Sequence, residues 1–174
     1  MQDEYLKLDT ASGRATNSAL YRNATVPFTA DTFSIGSNAV LNGVGTAFTF
    51  YCFATVPGIC AVGVYTGNAV ALTGPVIGAD FAPEFGIMKY QSNYNWAMHD
   101  RKRRSIVGGP ADEYISCDNA TAEATNTDFM NFVATGAYPM TTNGTLNINT
   151  GSMFYLLLGG IRGGAGLPPL PARI

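Results

Sequence analysis

The chain has 174 residues, of which 47% are apolar and only 13% charged, and its formal net charge is −2. That length suits one domain with a real hydrophobic core, and the small net charge excludes a global attraction to nucleic acid or to acidic membranes. Charged residues fall well below the roughly 25% of an ordinary soluble domain. Such a surface fits a protein packed against neighbours, or an all-β fold with polar uncharged turns.

In chain order, "MQDEYLKLDT" (1–10) is acidic and polar, the opposite of a secretory n-region. Residues 1–24 show no alternation and read as an N-terminal arm. A chain made and used in a cytosol is the expectation. The N-glycosylation triplets at Asn23, Asn119 and Asn143 are then turn and strand-edge asparagines. The longest apolar stretch, 47–56, is about half of the ~20 residues that a membrane-spanning helix needs.

From residue 25 to 160 strand signals follow one another. "TAFTFYCFATV" (46–56), "ICAVGVYT" (59–66), "FGIMKY" (85–90) and "YNWAMH" (94–99) are rich in β-branched and aromatic residues. "EYISC" (113–117), "FMNFVA" (129–134), "GTLNIN" (144–149) and "SMFYLLL" (152–158) continue the series. Pro57-Gly58, Gly67-Asn68, Gly74-Pro75, Gly108-Gly109-Pro110, Asn143-Gly144 and Thr150-Gly151 supply turns between them. Short strands punctuated this way predict an all-β chain, an antiparallel β-sandwich of the jelly-roll or lectin-like kind. The one segment suited to a short helix is "NATAEATNTDFM" (119–130). The end of the chain, "GGIRGGAGLPPLPARI" (159–174), cannot form a core, and 161–174 reads as a Gly/Pro-rich C-terminal arm. There Leu167, Leu170 and Ile174 alternate with prolines as apolar teeth on a polyproline-like strip.

A self-comparison aligns "AVLNGVGTAFTFYCFA" (39–54) with "GTLNINTGSMFYLLLG" (144–159). Leu41, Asn42, Gly45, Thr46 and Phe48 fall on Leu146, Asn147, Gly151, Ser152 and Phe154. One hairpin is used twice, with Asn and Gly making the turn and the next strand buried on both faces.

Little points to covalent chemistry. Cys52, Cys60 and Cys117 are odd in number and widely spaced, without a CxxC pair, so they read as small packed hydrophobes. No metal and no cofactor is expected. His99, the only histidine, falls in an alternating strand beside Trp96 and reads as a structural or partner-contact residue rather than a general base. HExxH, P-loop, GxSxG and GxGxxG motifs are absent, so a non-enzyme is expected. Tyr90, Tyr94 and Trp96 form a candidate aromatic surface for a carbohydrate, set against an ordinary role in core and rim. Arg101, Lys102, Arg103 and Arg104 hold four of the ten basic residues. On a nearly uncharged surface they are expected to have few internal partners and to dock on an acidic neighbour. DNA is excluded by the short patch and the lack of a recognition helix.

A resemblance adds to this reading. "FYCFATVPGICAVGVYTGN", "GADFAPEFGIMKY", "NYNWAMHDR", "AEATNTDFMNF" and "GSMFYLLLGG", in that order over about residues 25–160, resemble a β-rich module of tailed-bacteriophage virion proteins, of capsid decoration or tail-fibre type. The matching pieces are Tyr65-Thr66-Gly67-Asn68, Pro83-Glu84-Phe85-Gly86-Ile87-Met88-Lys89, Trp96-Ala97-Met98-His99-Asp100-Arg101 and Thr127-Asp128-Phe129. The resemblance implies that 59–160 is one whole unit and 25–55 the closing hairpin of another, with Pro57-Gly58 as the seam. It implies a structural virion protein, a capsid cement or decoration protein that binds the major capsid protein on the capsid exterior after assembly in the host cytoplasm. Arms that reach between copies suggest a closed homo-oligomer, and local three-fold positions in a shell make a homotrimer the expected form. The alternative is a receptor- or glycan-binding module of a tail fibre, binding a host-surface glycan. A chain with two arms and no repeated shaft favours the first. Neither reading involves a membrane or nucleic acid.

Overall fold

The computed structural model describes residues 3–5, 15–17, 34–37, 39–47, 51–103, 112–118, 120, 123–126 and 129–159. The expected C-terminal arm with Leu167, Leu170 and Ile174 lies outside them, as does Arg104. The elements, in order, are β1 (Asp3–Tyr5), β2 (Ala15–Asn17), α1 (Ala39–Asn42), β3 (Cys60–Thr66), β4 (Ile77–Gly78), β5 (Pro83–Tyr90) and β6 (Ala97–Asp100). They continue with β7 (Asp112–Ser116), β8 (Ala124–Asn126), β9 (Met130–Val133), β10 (Gly136–Pro139) and β11 (Ser152–Gly159). Among the described residues no helix is long and apolar enough to cross a membrane.

The chain is an antiparallel β-sandwich, as the patterning predicts. One sheet has the order β3-β11-β5-β6-β7-β8, the other β4-β10-β9, and β1 pairs with β2 in a separate hairpin. Strand β11 is central: Leu156 lies opposite Val62 of β3 on one side and opposite Ile87 of β5 on the other. Side chains alternate across a strand, so Met153 and Leu157 point inward and are fully buried. Ala61 and Tyr65 of β3, Met88 of β5 and Ala97 of β6 share that inner face. Ile77, Met130, Phe132 and Ala137 meet them from the smaller sheet, with Phe129 and Leu146 closing the layer. A Cβ at Gly63 on this face would stand 2.8 Å from the Tyr155 hydroxyl, so the Tyr155 ring would have to shift.

Several local expectations are corrected. Where a helix was expected over 119–130, the described residues are not helical: Ala124–Asn126 is strand β8, held by pairing with β7 that local sequence does not reveal. The helical turn falls instead at Ala39–Asn42. The strand expected over 144–149 is a turn, in which Leu146 and Asn147 both donate backbone N–H to the Asn143 carbonyl at 3.0 and 2.9 Å. Of the strand expected over 46–56, the described residues 46–47 and 51–55 join no sheet. Only Val56 pairs, with Cys60, across the turn that Gly58 makes at φ 75°. Within 1–24 the described residues Asp3–Tyr5 and Ala15–Asn17 pair as β1 and β2.

Leu157→Ala is expected to lower the unfolding free energy by about 2–5 kcal/mol, because it empties a fully packed site. Val64→Ala on the exposed outer side of β3 should cost well under half of that. Denaturant unfolding of the two variants checks both.

Candidate functional site

Antiparallel pairing brings the loops together at two opposite ends of the larger sheet. At one end lie 67–76, 91–96 and 141–151; at the other, 57–59 and 101–103. The candidate aromatic surface is at the first end and the basic run at the second.

The aromatic end is organised by two buried polar side chains. Lys89 follows inward-facing Met88, so it points to the opposite face of the sheet, yet it is fully buried. Its Nζ donates to the Ser92 carbonyl at 3.0 Å and to the Tyr94 carbonyl. Burial pushes its pKa below the usual lysine value, against the opposing attraction of Asp118. Lys89 therefore shapes the 91–96 loop and is not presented to a substrate. Tyr90 and Tyr94 are brought together, with ring centres 5.7 Å apart. Tyr94 lies against Gly144, where a Cβ would come within 2.8 Å of its ring. Trp96 is positioned through its backbone, donating to Asp118 Oδ2 at 3.2 Å and accepting from the Cys117 N–H at 3.3 Å.

Asn147 is the second organiser, fully buried and saturated with hydrogen bonds. Its Oδ1 accepts from the N–H groups of Asn68 and Ala69 at 2.8 and 3.2 Å. Its Nδ2 donates to the carbonyls of Thr141 and Val70 at 2.9 and 3.2 Å. An asparagine has two donors and one carbonyl acceptor to offer, and all are used. They hold a loop in which Ala69 and Leu72 take positive φ, 52° and 62°. That conformation costs a residue with a Cβ roughly 1–2 kcal/mol, and it leaves Val70, Leu72 and Val76 exposed.

At the basic end two cations of the run, Arg101 and Arg103, have acidic partners within the chain. Arg103 pairs with Asp100 and Glu123, and Arg101 lies 3.6 Å from Glu84. Those carboxylates are distant in sequence or end the same strand, which is why the run looked unpartnered. Lys102 is exposed, with its N–H bound to Asp100 Oδ1 at 2.9 Å. Exposed ion pairs of this sort add little stability.

His99 is 1% exposed, its ring beside Phe129 and Phe132. Its Nδ1 is 2.9 Å from the Glu113 carbonyl, so Nδ1 carries the proton. It bridges the two sheets out of reach of a substrate. The cysteines divide. Cys60 is buried, and burial pushes its thiol pKa up. Cys52 and Cys117 are exposed, a correction to the expectation that all three pack as hydrophobes.

Strand β11, expected to be buried on both faces, instead has an apolar outer side that is only half-buried and is continued by its neighbours. On the outer face of the six-stranded sheet, Val62, Leu156, Ile87, Met98 and Ile115 stand opposite one another across five strands. All five are only half-buried. Phe154, Leu158 and Phe85 flank this stripe, also half-buried, and Val64 is exposed. An antiparallel sheet normally leaves its second face polar and solvated. The signal was present in the unbroken apolar runs of β5 and β11, which lack the alternation of a strand with one wet face.

The chain belongs to the DUF7483 family, a domain of unknown function, which it matches over residues 1–158. The match takes in the β1–β2 hairpin and stops at the end of β11. No curated protein and no solved structure matches the chain.

Asn147→Ala is expected to destabilise the domain by about 3 kcal/mol, since it strands several buried backbone groups at once. In the native protein, Cys52 should react with a maleimide first, Cys117 more slowly because burial and then Asp118 push its thiol pKa up, and Cys60 only on unfolding. Mass spectrometry of the quenched reaction distinguishes the three.

Proposed function

We propose that the protein is a structural component of a tailed-phage virion that packs against other virion subunits through the outer face of its larger sheet. The observation that carries this is the apolar stripe Val62–Leu156–Ile87–Met98–Ile115. A contiguous apolar surface of that kind marks a protein–protein contact. The ordered resemblance to phage virion modules supplies the setting. In its specific form the role is that of a cement or decoration protein: a non-enzymatic subunit on the capsid exterior, with the major capsid protein as partner and a homotrimer as the assembled form. The basic run contributes less to docking than its charge suggests, because Arg101 and Arg103 are already paired.

A second reading is a glycan-binding module of a tail appendage. It is favoured by the Tyr90–Tyr94 pair and by the exposed, strained loop that Asn147 holds beside it. Aromatic rings offered at a rigid loop end suit stacking on a sugar face.

The test is attachment of purified protein to phage particles that lack it. Ile87→Ser combined with Leu156→Ser changes only outward side chains, so the sandwich should still form, while attachment should weaken by about tenfold or more. Unchanged occupancy on the particle would overturn the shell-binding role. Loss of glycan binding in Tyr94→Ala, with attachment intact, would favour the appendage reading.

A further inference from the structure

Backbone strain, ring placement and charge all single out one end of the sandwich. Among the described residues, the non-glycine residues with positive φ are Ala69 at 52°, Leu72 at 62° and Thr150 at 58°. All lie in the loops 67–76 and 141–151, which share an end of the larger sheet with 91–96. For a leucine or a β-branched threonine that backbone region is a genuine outlier. It persists only where the surroundings hold it, and such strain gathers at binding sites. Here Asn147 Oδ1 holds the N–H of Ala69, and the Met140 carbonyl accepts from the Leu72 N–H at 2.7 Å. The Gly67 carbonyl accepts from the Thr150 N–H at 2.9 Å.

Two tyrosines are seated on glycines of the same end. A Cβ on Gly144 would come within 2.8 Å of the Tyr94 ring, and one on Gly151 within 2.7 Å of the Tyr90 ring. The two rings are inclined by 59° to each other. Tyr94 is nevertheless 39% exposed, so its ring is backed by main chain and still open to solvent. The exposed hydroxyl residues Ser92 and Thr142 stand two positions before Tyr94 and before Gly144.

No charged residue occurs in these loops: 67–76, 91–96 and 141–151 contain no Asp, Glu, Lys or Arg. Lys89 and Asp118, at the same end, spend their charge on the main chain of 92–96. Lys89 donates to the carbonyls of Ser92 and Tyr94, and Asp118 accepts from the Trp96 N–H. Arg101, Lys102 and Arg103 stand at the opposite end of the sheet. A ligand carboxylate or sulfate settling on these loops would give up hydration and gain no opposite charge, which is costly. A sugar ring that carries only hydroxyls avoids that cost and lays its apolar face on an aromatic ring.

We infer that this end binds uncharged saccharides, with the Tyr94 ring as the stacking surface, and discriminates against sugars that carry carboxylate, sulfate or phosphate. This rests on the glycan-binding reading above and narrows it to one ligand class; the shell contact on the outer face is independent of it. The loops are held before any ligand arrives, so little ordering is left to oppose binding.

The test is binding of the labelled full chain to an array of neutral oligosaccharides and of the same oligosaccharides bearing sialate, uronate or sulfate groups. Neutral members are expected to bind, and their acidic counterparts about tenfold more weakly or worse. Raising NaCl from about 0.05 M to about 0.5 M should change neutral binding less than about twofold, because no ion pair is there to be screened. Tyr94→Ala, and Gly144→Ala, which pushes the ring off its seat, should each weaken neutral binding about tenfold. Lys102→Ser at the opposite end should leave it unchanged. Cys60 still unreactive toward maleimide in these variants shows that the sandwich is intact. Binding to acidic members alone overturns the inference and leaves the glycan-binding reading standing, as does neutral binding that both ring variants leave unchanged in an intact sandwich. Binding to neither class removes both.

Discussion

Strand β11 has no free edge, and the rest of the molecule is arranged by that constraint. Its hydrogen-bonding groups are shared between β3 and β5, so the first and last strands of the sandwich become neighbours across roughly ninety residues of chain. The loops that leave them are then forced together. Gly67 donates to the Gly151 carbonyl and accepts from the Thr150 N–H, each at 2.9 Å. A Cβ on Gly67 would stand 2.2 Å from the Ile148 carbonyl oxygen, so glycine is obligatory at this crossing. Asn147 is buried beside that junction and turns its amide onto 68–70, which is how a long-range strand pairing comes to fix a surface loop.

Strands whose side chains alone determine them were legible in the sequence. The runs 59–66, 85–90 and 152–158 fall within or nearly coincide with β3, β5 and β11, because β-branched and aromatic density suffices to mark a central strand. Elements that exist only through pairing were not legible. Ile77–Gly78 and Gly136–Pro139 are short and contain glycine or proline, and β8 is built from Ala, Thr and Asn. Their ladders come from tertiary neighbours, and local propensity yields to context. The converse failure at 46–56 is more informative. Its composition suits a central strand, yet the described residues 46–47 and 51–55 join no sheet.

The site was legible in its residue types and not in its geometry. Tyr90 and Tyr94 do meet, as their spacing around a turn allows. Arg101 and Arg103 pair with Glu84 and Glu123, whose proximity depends on β5–β6 pairing and on the position of β8. Lys89 could not be singled out as buried, since a lysine at a strand end is ordinarily solvated. Asn147 appeared only as a turn residue, although two amide contacts to 68–69 make it the support of a loop.

Edges give these features a common physical sense. An exposed edge strand is a template for further pairing, and natural sheets guard it with charge, proline or a covering segment. Strand β3 has none of the first two. Its outer edge is met at Cys60 by Val56 and at Val62 by the Thr55 hydroxyl, 3.3 Å from the Val62 N–H. The far end of the same sheet differs, with Glu123 and Arg103 paired beside β8. The unguarded edge of β3 and the apolar outer face meet at Val62, which stands at the β3 end of the stripe. The first offers unpaired backbone groups for further pairing and the second leaves apolar surface in water.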